Sequence, residues 1–99
     1  MLNITKNIEN DKAVFMLEGR LDTNTSIELE DSIKESVEGL NELTLDIEKL
    51  EYISSAGLRV LLSAQKIMSK QGEMKVIHVN ETIMEIFEVT GFSEILTIE

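Results

Sequence analysis

Two short stretches of this 99-residue chain hold polar side chains where they could do chemistry. One is Gly19-Arg20-Leu21-Asp22, where a strand pattern ends and a helix pattern has not begun. The other is Tyr52-Ile53-Ser54-Ser55-Ala56-Gly57-Leu58, where a strand pattern runs into an apolar helix. Asp22 can cap the helix that follows it, and one of the two hydroxyls can do the same at the second place. A helix N-terminus is also where an anion is tolerated best, because free N–H groups and the helix dipole point at it. A serine there can carry a phosphate without melting the helix behind it.

Other chemistry finds little support. The chain has no Cys, so disulfides and thiolate catalysis are excluded, which fits a reducing cytosol. The single histidine, His78, falls inside an expected strand, and no metal partner stands at ligand spacing from it. It reads as a structural or surface residue, and no metal or cofactor is expected. No G-x-x-x-x-G-K-[ST], G-x-G-x-x-G or G-x-S-x-G pattern occurs, so the chain is not expected to be an enzyme.

The formal net charge of -10 should repel phosphate backbones and anionic lipid surfaces, so neither direct nucleic-acid nor membrane binding is expected. A partner with a basic face is the better electrostatic match. No apolar run is long enough to span a bilayer. Met1-Leu2-Asn3-Ile4 lacks the basic and apolar regions of a signal peptide, so a cytoplasmic location is expected.

The elements that must position the two stretches follow from periodicity and turn chemistry. Leu2 to Glu9 and Lys12 to Gly19, split by Asn10-Asp11, form a hairpin whose second strand carries apolar residues on both faces. Thr23-Asn24-Thr25-Ser26 offers caps for a helix with Leu29, Ile33, Val37 and Leu40 on one stripe. Ile27 lies off that stripe and should be exposed. Leu43 to Ile47 alternates as a strand, and a second short segment, Leu50 to Ile53, leads into the helix Leu58 to Lys70. Met74 to Val79 is a buried strand. Asn80 caps a helix with Ile83, Ile86, Phe87 and Thr90 inward, and Phe92 to Ile98 closes the chain as a last strand. The order implies one α/β domain over 1–99, a small mixed sheet starting with a hairpin. Asp22 and Ser55 both follow strands, so with those strands parallel they share the end of the sheet where open α/β sheets bind partners.

In that order, Gly19-Arg20-Leu21-Asp22, then Leu45-Asp46-Ile47, then Tyr52 to Leu58, resembles the sulfate transporter and anti-sigma antagonist (STAS) family of bacterial anti-sigma factor antagonists. The tail Asn80-x-x-Ile83-x-x-Ile86-Phe87-x-x-Thr90-Gly91-Phe92 extends the likeness over essentially the whole chain. The resemblance implies helices packed mainly on one face of the sheet. It also implies an anti-sigma factor partner with serine kinase activity, release of a sigma factor, and a serine/threonine phosphatase that resets the switch. Ser55 matches the phosphorylated serine, and Asp22 matches an aspartate near the kinase contact. A partner-binding surface of Asp22, Thr23, Asn24, Ile27, Ser54, Ser55, Gly57, Leu58 and Arg59 follows, with Leu58 or Arg59 exposed on the outer side of the helix. One departure stands out: the family's usual Asp before the serine is Ser54 here, which makes Ser54 the alternative phosphate acceptor. A STAS scaffold or stress-signalling assembly component without phosphorylation is the second reading, and a nucleotide-binding domain a remote third.

Overall fold

Hydrogen bonding along the chain sets four strands side by side in sequence order. The computed structural model describes residues 1–99. Strands β1 (Leu2–Glu9) and β2 (Lys12–Leu21) form the hairpin, paired antiparallel from Leu2↔Gly19 to Glu9↔Lys12. Asn10 turns the corner at φ 56°, a conformation Asn tolerates better than most residues. Strands β3 (Glu42–Ile53) and β4 (Glu73–Ile77) then add in parallel, giving the order β1-β2-β3-β4.

Helix α1 (Thr25–Ser36) connects β2 to β3, and α2 (Ser55–Ser69) connects β3 to β4. Helix α3 (Glu81–Thr90) follows, then the one-turn α4 (Phe92–Ile95). One cluster of 23 buried side chains joins strand residues such as Phe15, Leu17, Leu45 and Val76 to helix residues Leu29, Ile33, Leu61, Met68, Ile83 and Phe87. The opposite face of the sheet carries Thr5, Met16, Asp46 and Ile77 in one cross-strand row, none of them fully buried. The mixed sheet with its leading hairpin and helices massed on one face is as expected.

Four local expectations need correcting. The segments Leu43 to Ile47 and Leu50 to Ile53 are one strand, β3, whose alternation is broken by bulges. Between the pairs Met16↔Asp46 and Glu18↔Lys49, and again between Gly19↔Leu50 and Arg20↔Tyr52, β3 spends one residue more than β2. Gly19 meets this irregular edge at φ 110°, and a Cβ there would stand 2.2 Å from the Met1 carbonyl oxygen. Only glycine fits. His78 lies just past β4, not within it, at φ 57°. The expected last strand is α4 followed by a single parallel bridge, Val76↔Ile98, because Gly91 turns the chain and too few residues remain to pair. Thr90 is exposed and bonds its hydroxyl back to the Ile86 carbonyl, so it does not join Ile83 and Phe87 inside. No helix is long and apolar enough to cross a membrane.

Candidate functional site

Strands β2 and β3 end together. Leu21 pairs with Ile53, and the Ser54 N–H donates to the Leu21 carbonyl at 2.8 Å. Asp22 and the Ser54-Ser55 step therefore leave the same end of the sheet, each feeding the N-terminus of a helix. The parallel register does this, since it carries both helix starts to one edge.

At α2, Ser54 is the N-cap. Its backbone is extended (φ -91°, ψ 173°), and its hydroxyl oxygen accepts from the Gly57 N–H at 3.2 Å. Its carbonyl accepts the first helical bond, from Leu58 N–H at 2.9 Å. Ser55 is the first helical residue and is exposed, with its hydroxyl free of intrachain hydrogen bonds. The N–H groups of Ser55 and Ala56 have no backbone acceptor, as expected in a first turn. No acidic residue stands in that turn.

Gly57 and Leu58 are buried, contrary to the exposure a contact surface needs. A Cβ on Gly57 would come within 2.8 Å of Leu21 and 2.9 Å of Ile53, which shows how closely the helix start is seated on the strand ends. Leu58 is only 7% exposed because that seating turns it into the core. Arg59, on the other side of the helix, is exposed.

At α1, of the residues expected to cap the helix, Asp22 supplies the side-chain cap. Asn24 is the N-cap position but makes no side-chain cap bond. Asp22 does the work instead: its Oδ1 accepts from Thr25 N–H at 2.9 Å and Asn24 N–H at 3.0 Å. The Thr25 hydroxyl donates to the Arg20 carbonyl at 2.7 Å and accepts from the Asp22 N–H at 2.8 Å. The Ser26 hydroxyl closes on the Asp22 carbonyl. These donors, led by the Thr25 N–H, hold the Asp22 carboxyl below its ordinary pKa of 3.8. The second carboxylate oxygen stays clear of this network.

Thr23 and Asn24 are exposed in the turn, and Ile27 is 61% exposed at the start of α1. Thr23, Ser26, Ile27, Ala56 and Arg59 line an open groove of about 180 Å³ between the two helix starts. Two contacts at this end were not legible in the sequence, although the residues that make them were placed here. Arg20 lies over the Tyr52 ring, 4.5 Å from its centroid, a cation–π contact set by the Arg20↔Tyr52 pairing. Ser26 is buried yet lines the groove. Both depend on cross-strand or cross-helix neighbours, which spacing along the chain does not reveal.

The STAS domain family matches residues 3–99. BtrV of Bordetella bronchiseptica, assigned as an anti-sigma factor antagonist, is 36% identical over 84 residues, covering 83% of this chain and 72% of that protein. Among solved structures, an anti-sigma factor antagonist from Mycobacterium paratuberculosis superposes with a TM-score of 0.89 at 19% identity, covering 99% of this chain and 85% of the other. The Bacillus cell fate determinant SpoIIAA in its phosphorylated form superposes with a TM-score of 0.77 at 15% identity, covering 98% and 91%.

Proposed function

The chain belongs to the STAS domain family, and from that premise we propose that it is an anti-sigma factor antagonist switched off by phosphorylation of Ser55. Its partner in this reading is an anti-sigma factor with serine kinase activity, and a serine/threonine phosphatase returns it to the binding state. It acts by binding, in the cytoplasm, and not by catalysis. The observation that carries the reading is Ser55 itself: an exposed, unbonded hydroxyl on the first residue of α2, beside two unpaired N–H groups and no acidic neighbour in that turn.

The departure from the family pattern sharpens the choice between the two serines. Ser54 stands where an aspartate is usual, and an aspartate would cap the same N–H. The Ser54 hydroxyl is already engaged with Gly57, so phosphorylating it would displace the cap. The Ser55 hydroxyl is free. A phosphate there adds about -1.5 to -2 charges to a chain already at -10. Within the domain the helix start tolerates it, by ~0.3–1 kcal/mol at an exposed site. At an interface built from Ile27, Arg59, Thr23, Asn24 and the free oxygen of Asp22, the group needs room and must shed water. A hundredfold loss of affinity takes only ~2.8 kcal/mol. The switch therefore works by blocking contact, with no internal rearrangement.

The test is incubation with the cognate kinase and ATP, mass spectrometry of the product, and capture of the partner by each form. Ser55→Ala should accept no phosphate and hold the partner constitutively. Ser55→Asp should bind poorly with a near-unchanged melting temperature. Phosphate retained on Ser55→Ala would move the switch to Ser54. Equal binding by modified and unmodified protein would leave a scaffold without a switch.

A further inference from the structure

Seven residues back along β3 from Ile53, on the face of the sheet that no helix covers, the chain gathers a second set of polar groups. Asp46 is on β3 opposite Met16 and Ile77. Glu48 follows in the bulged stretch, and its N–H donates to Asp46 Oδ1 at 3.2 Å. His78 comes from the far side, just beyond β4. Its left-handed backbone turns the ring back over β3, so that Nδ1 lies 3.0 Å from Asp46 Oδ1. One donor atom from each of the three residues falls within 4.8 Å of the others. An open cavity of about 170 Å³ adjoins them, lined by Asp46, Glu48, Thr5, Met16, Glu18 and Lys49.

We propose that Asp46, Glu48 and His78 form a binding site for a divalent transition-metal ion of the zinc type, separate from the Ser55 switch. The donor set decides the class of ion. One imidazole with two carboxylates suits zinc and its neighbours, whereas magnesium favours an all-oxygen octahedron with several waters. Geometry agrees. Two donors held about 2.0–2.2 Å from a tetrahedral ion stand roughly 3.3 Å apart, so the His78–Asp46 pair is already at ligand spacing. Glu48 is exposed on the same strand and has only to swing inward. The adjoining cavity leaves room for water in the remaining position, and the strong negative charge of the chain favours a cation.

The site was invisible along the sequence because His78 lies 32 residues from Asp46. Seven residues of bulged strand, at most about 23 Å, separate Asp46 from Ile53 at the end of β3, which makes the two separately testable.

The experiment is calorimetric titration of Zn²⁺ into the chelator-treated full chain, with Mg²⁺ as the comparison ion. The informative variant is His78→Asn, because Asn tolerates the left-handed backbone and keeps the turn while removing the imidazole. Zn²⁺ should bind at one site per chain. His78→Asn and Asp46→Asn should each weaken it at least ~tenfold, as loss of a ligand requires. Glu85→Gln, on distant α3, should leave it unchanged, and Mg²⁺ should not distinguish the variants. Equal Zn²⁺ affinity in wild type and His78→Asn would mean that the acidic surface merely attracts the ion, and would overturn the site. So would absence of binding by the wild type. A melting temperature for His78→Asn close to wild type certifies that the comparison is between folded proteins.

Discussion

The two helices that start at the same end of the sheet are capped in opposite ways. Helix α1 begins on an acid: Asp22 takes two backbone N–H groups on one oxygen, and Glu28 adds a further negative charge in the first turn. Helix α2 begins on a neutral hydroxyl, Ser54, with no acid in its first turn and two N–H groups unpaired. Both starts have the same dipole, so α1 already has its negative charge and α2 is left without one. The difference favours the proposed placing of a phosphate, at Ser55 on α2 and not beside the carboxylates of α1.

The sharpest way to break this comparison is to unseat α2. Gly57→Val places carbon where Leu21 and Ile53 already stand. It should lower stability by ~1–3 kcal/mol in urea denaturation. An unchanged midpoint would mean that the helix start is free to lift off the strands.

Next come the caps themselves. Ser54→Ala removes one bond, to Gly57, and should lower stability by about 1 kcal/mol. Asp22→Ala removes the acceptor for two backbone N–H groups, and should lower it by more. If Ser54→Ala proves the more damaging of the two, the acid-capped start is not the better anchored one.

Smaller in stability but larger in binding is Ile27→Glu. Ile27 lies on the exposed side of α1, so the change should stay within ~0.5 kcal/mol in a melting experiment. Capture of the partner should weaken if the groove between the helix starts is the contact surface. Unfolding by this variant would mean that Ile27 supports the core.

The smallest effect is the acid dependence. The Asp22 carboxyl is held below 3.8 in the folded chain, led by the Thr25 N–H. A carboxylate with a depressed folded pKa contributes stability that is present above its unfolded value and lost as pH falls through the folded one. Below about pH 4 the wild type should lose stability that Asp22→Asn never had. Parallel acid-denaturation curves for the two would remove the carboxylate from the capping role.

Much of this was legible along the chain. The hairpin turn, the caps before α2 and α3, the exposed Ile27 and the composite end of the sheet follow from local rules, because turn chemistry and helical spacing act over a few residues. The position of Ser55 at the start of α2 was legible for the same reason: a strand pattern, two hydroxyls and an apolar helix are neighbours in sequence. Burial of Leu58 was not, since a first-turn residue faces inward or outward according to how its helix is seated on the sheet. The continuity of β3 was hidden too, because bulges break alternation without ending a strand.

What the sequence determined alone, then, is the order of the elements and the identity of the groups at each helix start. Tertiary structure decided which of those groups are free. Register between β2 and β3 brought Asp22 beside Ser54, and close packing at Gly57 took Leu58 out of reach while leaving Arg59 in solvent. The pairing of β3 with β4 laid His78 over Asp46. The physical reason is range: caps and turns are made between residues a few places apart, whereas register and packing join residues thirty places apart, and only the folded sheet sets their distance.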